Sequence, residues 1–374
     1  MERSKSQLLE LTRAGIWNSE PNISLFEEGV DWNEVFGLAR QQTLFGVVLS
    51  SVEKLPKSLH PPRELTLRVH KIVSQTRANR NLHIELLAEM LELLKSVGVE
   101  RPVLLKGLGV AMNYPDSTLR ACGDIDIYVG EKYYEKCFEF LSTITYIKKS
   151  SKRASGHHFN FEYKGVHIEI HKYVNAPHSA AYHRRDFVDW CREQLEGDKL
   201  RKVDIEGVEV YLPPYDLDFI FIFYHAWKHF LICGVGLRQL CDWSCYINAN
   251  YKEFDYSEIE RVTSYFRLKL PISIFATIAV KGLGLNSEKF PCYEPVSDSL
   301  YHSVLDKIWI GGNFGQYSPD MKRVGKNFVY RCFLGFTSAI RAMIYLLRID
   351  ASYATRFYMS NITGRAILAL KRII

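Results

Sequence analysis

Apolar residues in the first 98 positions recur at helical spacing. The stretch WNEVFGLARQQTLFGVVLSSVEKL carries them at the three- and four-residue intervals of a buried helix face. PPRELTLRVHKIVSQTRANRNLHIELLAEMLELLKSVGV predicts a second, long helix that starts at its prolines and stops at Gly98. The period then shortens. RPVLLKG reads as a short apolar strand ending at Gly107, LGVAMNY as a short helix, DIDIYVG as an alternating strand, and EKYYEKCFEFL as a helix with charges at its start. HHFNFEY and VHIEIHKY alternate on either side of Lys164 and Gly165, which predicts a tight hairpin; KLRKVDIEGVEVYLP predicts another that turns at Glu206 and Gly207. From Pro213 the helical period returns in YDLDFIFIFYHAWKHFLI, in GLRQLCDWSCYI and in further segments to the end.

The expected fold is therefore α+β: an N-terminal helical region over 1–98, a small mixed-sheet core over 99–212, and a C-terminal helical region over 213–374. No repeat, low-complexity tract or long linker interrupts it. A chain of 374 residues can bury one large core or two modest ones.

Charge adds one feature. The net charge of +6 fits a polyanionic substrate such as a nucleotide, and it is unevenly placed. Residues 322–374 hold ten Lys or Arg against Asp350 alone, a charge of +9, which leaves −3 for the rest. Such a basic end suits phosphates or an anionic lipid surface, and equally a solvated helical face. The opening MERSKSQLLELTRAG is charged throughout and lacks an apolar core of signal-peptide length. LPISIFATIAV, the longest uncharged apolar run, is too short to span a bilayer. The eight cysteines include no C-x-x-C pair. A soluble cytoplasmic protein with reduced thiols is expected.

Candidate chemistry begins at RACGDIDIYVG. Alternation puts Asp124 and Asp126 on one face of a strand and Ile125, Ile127 and Val129 on the other. Two carboxylates so placed repel each other unless something positive sits between them. In VHIEIHKY the same alternation groups His167, Glu169 and His171 against Val166, Ile168 and Ile170. With the two strands as neighbours, Glu169 joins the Asp pair, and three carboxylates make a site for a hard cation such as Mg²⁺. Two such ions about 3.5–4 Å apart hold a triphosphate and activate an attacking hydroxyl. The alternative is a surface hairpin with solvated acids; the apolar opposite faces argue against it.

LLKGLGVAMNYPDSTLRACGDIDIYV, followed by GVHIEIH, resembles the nucleotidyltransferase superfamily. That superfamily, with its DNA polymerase beta-like fold, shares a glycine-containing strand-to-helix turn, an Asp-x-Asp strand and a third acidic strand. Lys-Gly before a short helix, an Arg just upstream of Asp-Ile-Asp, and Glu-x-His are similar to an uncharacterised bacterial nucleotidyltransferase group. The likeness covers roughly 100–172 and extends thinly, through HAWKHF and GVGLRQLCDW, to about 250. It implies transfer of a nucleoside monophosphate from an NTP to an acceptor, with release of pyrophosphate, on two Mg²⁺ ions or on Mn²⁺ in their place. It further implies Asp124 and Asp126 as metal ligands, and Glu169 as a third ligand or as the base. Gly107 would lie where the backbone approaches the triphosphate.

The chain departs from that pattern at Gly107-Leu108, where many members have Gly-Ser. Lys106 and Arg120 are then the candidates to surround the phosphate oxygens with positive charge. Their structural alternatives are a Lys that covers a strand end and an Arg paired with Asp116 or Asp124. His171, His167 and His158, with His157 beside it, are candidates to support Glu169 or contact the acceptor. His225, His229 and Arg238 are candidates to line the cleft from the helical region. The acceptor stays open among a small hydroxylated molecule, a protein side chain and an RNA end; the basic C-terminus is the only hint of nucleic acid. A non-catalytic nucleotide-binding or regulatory module is the alternative, favoured by the missing Ser and opposed by the three retained acids. His225, His229, Cys233, Cys241 and Cys245 also suggest a zinc cluster. Gly234 and Gly236 break the helix between its halves, and free Cys is commonly a small core residue, so the structural reading is preferred. No G-x-G-x-x-G, Walker A, G-x-S-x-G or H-E-x-x-H pattern occurs.

Overall fold

The computed structural model describes residues 2–147, 157–174, 184–232, 234–290, 293–317 and scattered positions of 340–355. Four helices come first: α1 (Arg3–Trp17), α2 (Trp32–Gln42), α3 (Phe45–Val52) and α4 (Arg63–Ser96). The apolar pattern running through 32–55 is thus carried by two helices. Thr43 takes a left-handed conformation (φ 59°) whose N–H returns to the carbonyls of Ala39 and Arg40, and this ends α2 whatever the periodicity. Helix α4 starts directly after Pro62, and Gly98 follows it with φ 93°.

The α+β expectation holds. Strand β1 (Val103–Leu105) leads into α5 (Gly107–Ala111), then come β2 (Asp124–Tyr128), α6 (Glu131–Ile144), β3 (His158–Tyr163) and β4 (Val166–His171). They are followed by α7 (Arg184–Glu196), β5 (Arg201–Ile205) and β6 (Val208–Leu212). Helices α8 (Tyr215–Ile232), α9 (Leu237–Asn250), α10 (Tyr256–Tyr265), α11 (Lys269–Thr277) and α12 (Asp298–Gly311) come after the sheet. Helix α7 has no counterpart among the expected elements, although buried Phe187, Trp190, Cys191 and Leu195 mark one face at helical spacing.

Among the described residues the sheet has six strands in the order β3-β4-β2-β1-β6-β5. β2 runs parallel to β4 and antiparallel to β1, and β1 runs parallel to β6. Both hairpins turn on a pair of left-handed residues, Lys164-Gly165 (φ 50° and 83°) and Glu206-Gly207 (φ 52° and 89°), as two-residue turns that match strand twist require.

The sheet separates two cores. On one face Leu104, Ile125, Ile127, Ile168 and Ile170 pack with Leu87, Met90 and Leu94 of α4 and with Cys137 and Leu141 of α6. On the other face Val103, Leu105 and Tyr128 join a larger cluster that includes Leu8, Phe219, Trp227, Trp243 and Phe275, drawn from helices of both chain ends. Each such side chain, fully buried, contributes about 1.5–3 kcal/mol. The N-terminal helices also reach the loop ahead of β2: a Cβ on Gly46 of α3 would stand 2.3 Å from the carbonyl oxygen of Leu119.

No helix among the described residues is long and apolar enough to cross a membrane. Cys122, Cys137, Cys191, Cys241 and Cys245 are free thiols, while Cys233, Cys292 and Cys332 lie outside the described residues. Most of the basic segment from 322 also lies outside them.

Candidate active site

The site begins where β1 ends. Lys106 (φ 50°, ψ −141°) and Gly107 (φ 47°) turn the chain sharply into α5. Gly tolerates this, but for Lys106 the conformation costs about 1–3 kcal/mol and persists only because its surroundings fix it. The turn aims Lys106 Nζ at Asp126, 3.2 Å from Oδ2, and 5.8 Å from the centre of the Phe221 ring.

Strand register assembles the rest. Parallel pairing sets Asp124 beside His167, Asp126 beside Glu169 and Tyr128 beside His171. Antiparallel pairing sets His158 opposite His171. Asp124, Asp126, Glu169, His171 and His158 therefore share one face of three adjacent strands, the face turned towards the larger core. Asp126 and His171 are buried, at 1% and 4% exposure, whereas Asp124 and Glu169 are partly open.

Within this group the charges compensate unevenly. His171 Nε2 lies 2.8 Å from Asp126 Oδ1 and 3.4 Å from Glu169 Oε2. Burial pushes the His171 pKa down, but its hydrogen bonds to Asp126 and Glu169 outweigh this and lift it to about 9, so the ring is cationic at neutral pH. Burial alone would raise Asp126; Lys106 and His171 instead hold it below the usual carboxylate range. Glu169 is likewise pushed up by burial and brought down further by His171, His158 and Lys106. Asp124 is the exception: the charge of Asp126, and then burial, raise it. Lys106 and Arg238 offset that repulsion only in part.

Three carboxylates with that residual repulsion suit a hard divalent cation. Among the described residues, buried Asp126 Oδ2 is met by Lys106 Nζ alone, at 3.2 Å, which leaves a carboxylate oxygen of the kind a hard cation takes. Lys106, its neighbour at 3.2 Å, supplies the positive charge in the ligand-free arrangement.

The other candidates divide into those that reach the group and those that do not. His167 is exposed, with Nε2 3.7 Å from Glu169 Oε1. His158 places Nε2 3.8 Å from Glu169 Oε2, and burial lowers its pKa to about 4, so the ring is neutral. Arg120 is buried and grips Asp242 of α9 with both ends of its guanidinium, Nε to Oδ1 at 3.1 Å and Nη2 to Oδ2 at 2.7 Å. Neither partner expected for it is the one it takes. Asp116 instead accepts from the Thr118 N–H, and Asp124 lies on the sheet face with the other acids. Tyr114 also donates to Asp242 Oδ1, at 2.7 Å. Arg238 donates through Nη1 to the Ala121 carbonyl at 2.7 Å, and its buried Nε has no hydrogen bond. Its neighbour one turn on, Asp242, is held by Arg120.

Helix α8 supplies His225 and His229, with ring centroids 4.5 Å apart. Burial drives His225 well below its ordinary pKa and His229 to about 4, so both are neutral. His225, Arg238 and Phe314 close a cleft whose other wall is Lys106, Gly107, Asp124 and Asp126, and the Arg120–Asp242 pair lines it too. Phe314 went unnoticed in the sequence. It sits in a left-handed conformation (φ 51°) in the glycine-rich turn after α12, its ring 4.7 Å from His229. Gly234 lets that turn approach, since a Cβ there would lie 2.9 Å from Gly315 Cα. The repeated glycines of 311–315 were the available signal. Cys241 and Cys245 are fully buried core residues.

A family described as an uncharacterised nucleotidyltransferase matches residues 28–284, a span holding the whole sheet and every cleft residue named here except Phe314. Comparison with curated proteins and with solved structures gives no match. With well over half of its length matched, the chain belongs to this nucleotidyltransferase family.

Proposed function

We propose that the protein moves a nucleoside monophosphate from an NTP to an acceptor nucleophile, with Asp124, Asp126 and Glu169 holding divalent metal. The observation that carries this reading is the convergence of the three carboxylates on one face of two parallel neighbouring strands, with Asp124 and Asp126 lining a cleft that also receives Lys106. The acceptor hydroxyl oxygen attacks the α-phosphorus while its proton passes to water, the bond from that phosphorus to the bridging oxygen breaks, and pyrophosphate leaves with the electron pair. Mg²⁺, when bound, neutralises the phosphate oxygens and favours ionisation of the attacking group.

The chain's own residues have separable tasks in this scheme. Lys106, now 3.2 Å from Asp126 Oδ2, would direct its charge to the phosphates. Gly107 leaves the backbone open where a Ser hydroxyl is absent. Arg238 lines the cleft and has a buried Nε without a hydrogen bond, so it is a better phosphate partner than Arg120, whose guanidinium is spent on Asp242. Glu169 acts as a ligand rather than a base, because a carboxylate held this acidic by His171 is a weak proton acceptor. His225 and Phe314 form the wall available to the base or the acceptor. Free thiols suit a reducing cytoplasm. Sugars and antibiotics, protein side chains and RNA ends are the acceptor classes to screen.

One observation favours a non-catalytic nucleotide-binding module instead: buried Leu108 stands where a phosphate-contacting Ser is usual. A single experiment addresses both readings. The purified protein is titrated calorimetrically with each NTP, with and without Mg²⁺, beside Asp124→Ala/Asp126→Ala. Metal-dependent binding lost in the variant is expected, followed by pyrophosphate release once an acceptor is supplied. Binding without turnover across the acceptor panel favours the module, and failure of the folded protein to bind any NTP overturns both.

A further inference from the structure

Beside the all-oxygen set lies a second group of donors with different chemistry. His158, Glu169 and His171 each offer one atom, and these atoms lie within 4.8 Å of one another. His171 Nε2 is 3.4 Å and His158 Nε2 3.8 Å from the same oxygen, Glu169 Oε2. Around a tetrahedral ion with bonds of about 2.0–2.1 Å, neighbouring donors stand about 3.3–3.4 Å apart. The two separations from Glu169 Oε2, 3.4 and 3.8 Å, are close to that figure. Asp126 Oδ1 lies beside the group, 2.8 Å from His171 Nε2.

Two further features fit a metal centre. His158 Nδ1 is 2.9 Å from His157 Nε2, so its outer nitrogen is engaged while Nε2 turns to Glu169, the arrangement by which a neighbour orients a ligating imidazole. The donors also sit on paired strands rather than on loops: His158 is directly opposite His171, and Glu169 is two residues along the same strand. This spacing is fixed by sheet register, which gives a site the rigidity that metal selectivity needs. Two imidazoles with a carboxylate favour first-row transition ions over Mg²⁺, which prefers oxygen throughout.

We propose that His158, Glu169 and His171 bind a transition-metal ion, Zn²⁺ in the first instance, beside the Asp124–Asp126 carboxylates and without any nucleotide, the ion displacing to solvent the proton that His171 Nε2 otherwise shares with Asp126. The site shares Glu169 with the proposed transfer site but does not depend on that reading, since the ion binds in the absence of NTP. It would give the cleft a resident positive charge, distinct from the ions that arrive with substrate.

The test uses full-length protein stripped of metal by chelation, with excess Mg²⁺ present and no nucleotide. Zn²⁺ is titrated calorimetrically, and Co²⁺ is followed by visible absorption as a report of low coordination. One Zn²⁺ per chain is expected, weakened more than about 100-fold by His158→Ala and held within about threefold in Asp124→Asn. The Co²⁺ band should vanish in the first variant and persist in the second. His158→Gln, which keeps the ring's approximate volume, replaces His158→Ala should circular dichroism show that variant unfolded. No Zn²⁺ binding, binding indifferent to both His158 variants, or binding lost equally in Asp124→Asn overturns the proposal. NTP titration remains a separate measurement, so either proposal can fail while the other stands.

Discussion

Replacing Asp242 with Asn asks whether Arg120 is a structural clamp or a phosphate ligand. Arg120 and Asp242 are 6% and 5% exposed and make a two-pronged ion pair, which Tyr114 completes from the end of α5. The pair links the loop ahead of β2 to α9, across 122 residues of sequence. Asp242→Asn leaves a buried guanidinium without its counter-charge, and removing one partner of such a pair costs about 3–5 kcal/mol. Unfolding entropy of about 2.1 cal/mol/K per residue gives about 0.8 kcal/mol/K for 374 residues, so the Tm should fall by about 4–6 °C. The double variant Arg120→Met/Asp242→Leu replaces the pair with apolar volume. It leaves the Tyr114 hydroxyl without its partner and takes the charge of Asp242 from buried Arg238 as well, so it should lie closer to the parent than Asp242→Leu alone without matching it. Thermal and urea unfolding of the parent, Arg120→Met, Asp242→Leu and the double variant closes the cycle, and a coupling of at least about 2 kcal/mol is expected. A single-variant loss under about 1 kcal/mol, or a double variant as unstable as the two singles summed, would refute the clamp and return Arg120 to the substrate.

Lys106→Met removes one of the two cations beside buried Asp126 and should lower metal-free stability by about 2–3 kcal/mol; an unchanged urea midpoint would contradict this, and added Mg²⁺ should narrow the gap. Gly46→Ala forces a methyl to within 2.3 Å of the Leu119 carbonyl oxygen and should cost about 1–3 kcal/mol or more, measured as a lower midpoint at unchanged slope. Lys307 has its Nζ 4.3 Å from the ring centres of both Phe230 and Tyr345, and burial lowers its pKa to about 8. The unfolded chain then binds more protons than the native one between that value and the ordinary lysine pKa, so stability attributable to this group rises with pH through that window. Below it the buried charge costs about 1–2 kcal/mol once ring attraction and partial exposure are allowed for. Lys307→Met should therefore stabilise the protein at neutral pH and flatten its stability between about pH 8 and 10.5, as unfolding at several pH values will show.

The parts of this architecture written in the sequence are those governed by short periods. Alternation in DIDIY and VHIEIH put the three carboxylates on matching faces, and the glycine after Lys164 and after Glu206 marked each hairpin. Even the pairing of His158 with His171 follows from counting outward from the Lys164-Gly165 turn, because a two-residue loop fixes register. What local pattern does not encode is long-range choice. The partner of Arg120 was sought among nearby acids, yet the fold supplies one from α9, since only there does a second buried group, Tyr114, share the cost of burying the carboxylate. Phe314 was hidden for a similar reason: its place in the cleft depends on two glycine-containing turns, distant in sequence, touching backbone to backbone. The break at Thr43 defeats periodicity because a single left-handed residue shifts the helix axis without altering the spacing of apolar residues on either side.

The two-walled cleft bears on how this protein can be taken apart. All three carboxylates and Lys106 lie within 103–171, which makes the sheet look like a portable catalytic unit. Its opposite wall, however, is built from α8, α9 and the turn that follows α12, and the loop leading into β2 is pinned to that wall by Asp242. A fragment ending at β6 would expose Val103, Leu105 and Tyr128 to water and strand a buried arginine. Cutting, shuffling or grafting this sheet should therefore yield an insoluble piece rather than a minimal enzyme, and any circular permutation has to keep the helices that follow the sheet in the same molecule.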